Sequence, residues 1–220
     1  MYTEVYKRKW LLATGTSMLF MAILAGFSYG FVHSEIYVAG DAKQTSELLY
    51  KNHDLFKLGI ISWILIVLLD IIVSIGVYKI YEKYNKNIAI LTCGLRLIYT
   101  LFLGLSIVYL VEPAISKIEA PHVLLAFESF EYVWNLGLIV FGVHLFFLSI
   151  NALKSTFTPK LIGFLLFLGG LSYTIIHGLK IFFPKFFEIT LIIESVLILP
   201  MALSELFFSL WLIYFYFKVR

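Results

Sequence analysis

The chain has 220 residues, 61% of them hydrophobic and 14% charged, and its mean hydropathy is +0.93. A soluble domain of that length carries roughly a quarter charged residues, so this composition points away from water and toward a single membrane-embedded bundle. The net charge of +3 is small and scattered, which argues against nucleic acid as a partner, and one cysteine, Cys93, excludes an internal disulfide or a zinc ribbon.

A helix that crosses a bilayer needs about 20 mainly apolar residues. The stretches Trp10–Val32, Leu58–Ile80, Asn87–Val111, Phe127–Leu153, Lys160–Phe183 and Ile189–Phe217 meet that need. They predict an all-α integral membrane protein with six transmembrane helices in one domain spanning residues 1–220. Lys7-Arg8-Lys9 before the first apolar run also fits a secretory signal, with Ala25-Gly26 near a cleavage point. The run continues to Val32, longer than a signal core, which favours an anchor.

Orientation follows from the cations near the membrane ends. With the N-terminus inside, Lys7, Arg8, Lys9, Lys79, Lys83, Lys86, Lys154, Lys160, Lys218 and Arg220 lie on the cytoplasmic side. The other face holds Lys43, Lys51, Lys57, Lys117, Lys180 and Lys185, together with most of the acids. Tyr78, Tyr81 and Tyr84, and likewise Trp211, Tyr214 and Tyr216, would form an aromatic belt at the inner interface. The expectation is N-in, C-in. In the first outer loop, Asp41 and Gln44 resemble a capping box, and Leu48, Leu49, Asn52 and Phe56 recur at helical spacing. These predict a short amphipathic helix on the membrane surface.

The order of features resembles the family known as domain of unknown function 4386, a set of bacterial multi-pass membrane proteins. The resemblance rests on Ser34-Glu35-Ile36-Tyr37-Val38-Ala39-Gly40-Asp41-Ala42, Leu55-Phe56-Lys57-Leu58-Gly59, Asp70 and Leu95-Arg96-Leu97-Ile98-Tyr99. Gly142-Val143-His144-Leu145, Pro159, Gly163, the run Gly169-Gly170-Leu171-Ser172-Tyr173, Glu205 and Leu210-Trp211-Leu212 continue it. Ala39 departs from the pattern, where proline is expected before the Gly-Asp pair. The resemblance implies a bacterial cytoplasmic membrane and carries over no catalytic residue.

Ionisable side chains inside a bilayer cost at least about 2.5–3.5 kcal/mol at the helix centre, so they need partners or a function. At 1.5 Å of rise per residue, Asp70, Arg96 and His144 each lie about nine or ten residues from the inner end of their spans, with Glu205 about twelve. They form a candidate inner layer, either an Asp70–Arg96 ion pair that fixes helix register or a substrate or proton site. Glu131, His177 and Glu194 form a candidate outer layer with Lys180 nearby, or are simply hydrated from the external face. Pro200, between Glu194 and Glu205, removes a backbone hydrogen bond.

No H-E-x-x-H, G-x-S-x-G, Walker or Rossmann motif occurs. His144 and His177 sit at different depths, which argues against a shared haem iron. His33, His53 and His122 either meet a metal with the outer acids or, as scattered loop histidines more often are, lie solvated. No catalytic residue, metal ligand set or cofactor is predicted. Ala22, Gly26 and Gly30 form a small-residue face for internal packing, or for a homo-oligomer or membrane partner. Thr100 and Gly104 form a second such pair. Three classes of function remain open: a non-catalytic membrane subunit or sensor, a transporter of a small polar solute, ion or proton, and a membrane-embedded lipid-modifying enzyme.

Overall fold

The computed structural model describes the backbone of residues 2–219 and the side chains of residues 8–219. Two cations used above for orientation, Lys7 and Arg220, therefore have side chains outside the described part. Helix α1 (Tyr2–Ala25) runs into a π-helical stretch, Gly26–His33, and a single turn, α2 (Ser34–Ile36). Then follow α3 (Ala42–Lys51), α4 (His53–Tyr81), α5 (Lys86–Ile115), α6 (Ala120–Lys154), α7 (Lys160–Phe182) and α8 (Phe187–Lys218). Among the described residues, six helical segments are long and apolar enough to cross a membrane: the joined Arg8–Ile36 segment, α4, α5, α6, α7 and the segment carrying α8.

Local chemistry sets where these helices begin. The Asn85 side chain accepts from the Ile88 N–H at 3.1 Å, satisfying an early orphan donor of α5, and Asp41 does the same for Gln44 at 2.9 Å ahead of α3. Gly40, at φ +74°, makes the left-handed turn that delivers Asp41 to this cap. Pro121 occupies the first turn of α6, where its missing N–H has no partner to lose. The helices run past the apolar stretches that predicted them: α4 starts at His53, α5 ends at Ile115 and α6 starts at Ala120. Hydropathy stops at the first charged residues, whereas the backbone hydrogen bonds continue until a cap ends them.

The six long helices form a closed ring in chain order, α1 against α4, then α5, α6, α7 and α8, with α8 returning to α1. Both ends of the chain lie at one end of the ring, because the Arg8 guanidinium donates to the Tyr216 carbonyl at 3.2 Å and sits 4.6 Å from the centre of its ring. That end is called the terminal end below. Helix α3 folds over the opposite, loop end and packs on α6. Large apolar side chains such as Leu68, Leu101, Val108 and Ile115 face outward, as lipid-facing helices require. Val73, Val77, Leu103, Leu145, Leu148, Leu166 and Phe208 fill the interior.

The close crossings use other glycines than the sequence pattern suggested. A methyl group on Gly170 would lie 2.7 Å from the Gly142 carbonyl oxygen and 2.8 Å from the Phe146 nitrogen, so α6 and α7 touch backbone to backbone there. A methyl group on Gly26, Gly30 or Gly104 would meet nothing within 4 Å. Ala22 is exposed as well, so the Ala22/Gly26/Gly30 face is not used for internal packing. One of the expected belt tyrosines also differs. Tyr81 is fully buried, its hydroxyl 2.9 Å from Thr158 Oγ1 and its ring against Phe157 and Phe208.

Candidate functional site

The four residues of the inner layer meet around one guanidinium. Arg96, 1% exposed, projects from α5 into the ring. Its Nε donates to Asp70 Oδ1 at 2.7 Å and its Nη2 reaches the same oxygen at 2.6 Å. Its Nη1 donates to His144 Nε2 at 3.2 Å and to Glu205 Oε1 at 3.3 Å. Asp70 stands on α4 and His144 on α6, the two neighbours of α5, while Glu205 stands on α8 across the ring. One side chain therefore ties four helices together, and the tie to α8 spans the interior.

Hydrogen bonding fixes the state of the histidine. His144 Nδ1 lies 2.8 Å from the Thr92 carbonyl oxygen, which can only accept. Its Nε2 faces a guanidinium N–H, which can only donate. His144 is thus the neutral Nδ1–H tautomer, held between α5 and Arg96. Asp70 is fully buried, and its Oδ2 takes a short hydrogen bond from the Thr100 hydroxyl, which also reaches the Arg96 carbonyl at 2.8 Å. The Phe141 ring lies 5.2 Å from the guanidinium carbon, with Tyr99 and Tyr173 packed on that ring at 4.7 and 5.0 Å. The guanidinium thereby has one aromatic ring, Phe141, beside it as well as its acceptors. Glu205 differs from the other three, because 27% of its side chain is exposed.

The outer-layer residues separate into three groups near the loop end. Glu131 accepts from His33 at 3.1 Å and from the Tyr29 hydroxyl at 3.4 Å. His177, 6% exposed, places Nδ1 2.6 Å from Asn135 Oδ1, while Asn135 Nδ2 donates to the Glu131 carbonyl at 2.6 Å. His177 Nδ1 is accordingly the donor, and its Nε2 lone pair is buried with no hydrogen-bond partner among the described residues. Glu194 pairs with Lys180 at 2.7 Å, as a bridge between α8 and α7.

His33 is the residue that sequence reasoning missed. Taken as a solvated loop histidine, it is instead buried at the end of the π-helical stretch, against Tyr29, Tyr37, Phe127 and Phe130. Its recurrence four residues after Tyr29 was the available signal, since i and i+4 share a helix face. Just beyond the span, burial first, then Glu131 and Glu128, push the Tyr37 hydroxyl up to about 12, so it remains a donor at neutral pH. His53 Nε2 lies 2.9 Å from the Ala114 carbonyl, and His122 is exposed. Among the described residues, no three His, Cys, Asp or Glu side chains come together to hold a metal ion. A narrow cleft lined by Ser28, His33, Phe56, Gly59, Trp63 and Phe127 has room for about one water molecule.

This cluster around Arg96, called the clasp below, sets one hydroxyl, that of Thr100, against a carboxylate, that of Asp70, and both are buried. Chemically it can hold charge, exchange partners among acceptors and take or release a proton. Comparison with known proteins adds no chemistry to this cluster. An uncharacterised protein of Archaeoglobus fulgidus is 33% identical over 117 residues, which is 53% of this chain and 64% of that relative's length, so the match spans less than two thirds of it. No solved structure matches. Residues 13–215 match the family described as Domain of unknown function (DUF4386), and the chain belongs to that family.

Proposed function

We propose that the chain is a non-catalytic multi-pass subunit or sensor of the cytoplasmic membrane, with both termini inside, whose working element is the Arg96 clasp. The observation that carries this is the sealing of the clasp: Asp70, Arg96 and His144 are all at most 1% exposed. A permeation site must open to water on at least one side, and these three groups have none. A catalytic site must admit a substrate to its reactive groups, and the same burial argues against one at the clasp, leaving the outer acids and His177 as the place for the enzyme reading. What the geometry does suit is holding α4, α5, α6 and α8 in one register that a partner or signal acting on the loop end could bias.

One observation favours a second reading, transport of an ion or proton: Glu205, the fourth member, is partly accessible. Reconstitution separates the two. Purified protein in proteoliposomes should hold imposed gradients of protons, sodium or potassium as well as protein-free vesicles do. Sustained protein-dependent flux that disappears in Glu205→Gln would replace the sensor reading with transport.

A further inference from the structure

The charges of the clasp do not balance. It contains one guanidinium, two carboxyl groups and a histidine whose hydrogen bonds make it neutral. With both carboxyls ionised the cluster would carry a net negative charge in a low-dielectric interior, a state that needs a compensating cation. Among the described residues, no other charged side chain is in contact with it. The ionisable groups set toward Glu205 are Asp70 on α4, Arg96 and Tyr99 on α5, His144 on α6 and Tyr173 on α7, and α1 carries none between Lys9 and Tyr29. Lys180, the nearest cation toward the loop end, is already paired with Glu194. By helical rise Glu194 lies about 16 Å from Glu205.

We infer that the clasp binds one exchangeable proton and that Glu205 is the group that carries it. Three differences between the carboxyls place it there. Charge-assisted N–H···O bonds run about 2.7–2.9 Å. Both contacts to Asp70 are that short or shorter, at 2.6 and 2.7 Å, whereas the contact to Glu205, at 3.3 Å, is longer than ordinary N–H···O bonds and holds a carboxylate charge weakly. Asp70 Oδ1 takes two guanidinium donors, while Glu205 Oε1 shares the Nη1 group with His144. Asp70 is fully buried, whereas 27% of the Glu205 side chain is exposed, so of the two carboxyls only Glu205 can meet a molecule outside the protein.

When the proton leaves, the Glu205 O–H bond breaks and the proton passes to a water molecule at the exposed side of the carboxyl. Hydration there has to offset the negative charge left behind, and the carboxylate draws Arg96 Nη1 toward α8. That shift weakens the bond from Nη1 to His144 and pulls on both neighbours of α5. Protonation of one carboxyl thus sets the balance between a clasp centred on α4 and one stretched to α8. The inference deepens the sensor reading and rests on it for the signal's meaning, but not for the proton itself.

The test is infrared spectroscopy of the full-length protein in lipid at neutral pH. One carbonyl band of a protonated carboxylic acid is expected, moved to lower frequency by carbon-13 labelling of glutamate, unmoved by labelling of aspartate, and lost in Glu205→Gln. If that variant fails to fold, Glu205→Asp serves instead, with the band then following the aspartate label. A band that follows aspartate in the unsubstituted protein places the proton on Asp70 and overturns the inference, as does the absence of any such band. Proteoliposome flux lost in Glu205→Gln would overturn the sensor reading alone, since the band would remain assigned to Glu205.

Discussion

Removing Arg96 should destabilise the bundle more than removing the charge of Asp70, and removing both together should cost less than removing Arg96 alone. Arg96→Met strands Asp70, which is fully buried and would keep only the Thr100 hydroxyl. Breaking a buried pair from one side in this way costs about 3–5 kcal/mol. Asp70→Asn removes a carboxylate but leaves Arg96 paired with Glu205, which can release its proton and supply the missing charge. Its expected cost is that of a charge-assisted hydrogen bond, about 1.5–3 kcal/mol. The double variant Asp70→Leu with Arg96→Met replaces the pair by apolar groups of similar volume, a change often neutral in buried sites. It should lie within about 2 kcal/mol of the unsubstituted protein. Reversible unfolding in mixed micelles, followed by circular dichroism, measures all four. If the double variant loses as much as Arg96→Met alone, or more, the residues do not act as a pair and the clasp account is wrong.

At the α6–α7 crossing, Gly170→Ala should cost about 1–3 kcal/mol by overpacking against the Gly142 backbone, whereas Gly26→Ala, in open space, should leave the melting temperature unchanged. Equal effects of the two would contradict the crossing. Tyr81→Phe, which deletes the bond to Thr158, should lower stability by about 1 kcal/mol in the same unfolding experiment. The partly exposed Lys180–Glu194 pair should show a coupling below about 1 kcal/mol in a double-mutant cycle. For orientation, fluorescent-protein fusions at either terminus should be bright, and Lys43→Cys in α3 should react with an impermeant thiol reagent added outside intact cells. Labelling of Lys43→Cys only after the cells are opened would reverse the assigned topology.

The inner cluster was legible because depth along a helix follows from counting. Asp70, Arg96 and His144 fell into one layer on rise per residue alone, and Glu205, a few residues off that layer, is brought in by the length of the arginine side chain. Rotation about the helix axes was not legible. Glu131, His177 and Glu194 share a depth, yet they turn to His33, Asn135 and Lys180 respectively, because neighbouring helices and not hydropathy decide the azimuth. The π-helical stretch was hidden for a related reason. Gly26 and Gly30 read as a packing face, but in the fold they occupy the stretch that carries Tyr29 and His33 onto α6. Tyr81 was misplaced at the interface because an aromatic residue at a span's end looks the same whether it faces lipid or Phe208.

The central claim is that one arginine holds two carboxyl groups on helices that are not neighbours in the ring. The chain has only three arginines, Arg8, Arg96 and Arg220, so guanidinium labelling is nearly selective for the buried one. Solid-state NMR dipolar recoupling between nitrogen-15 arginine and carbon-13 carboxyl groups, on protein in lipid bilayers, measures the contacts directly. The account predicts close dephasing of one aspartate and one glutamate, removed respectively by Asp70→Asn and Glu205→Gln. Dephasing of the aspartate alone would leave α8 outside the clasp and contradict the account.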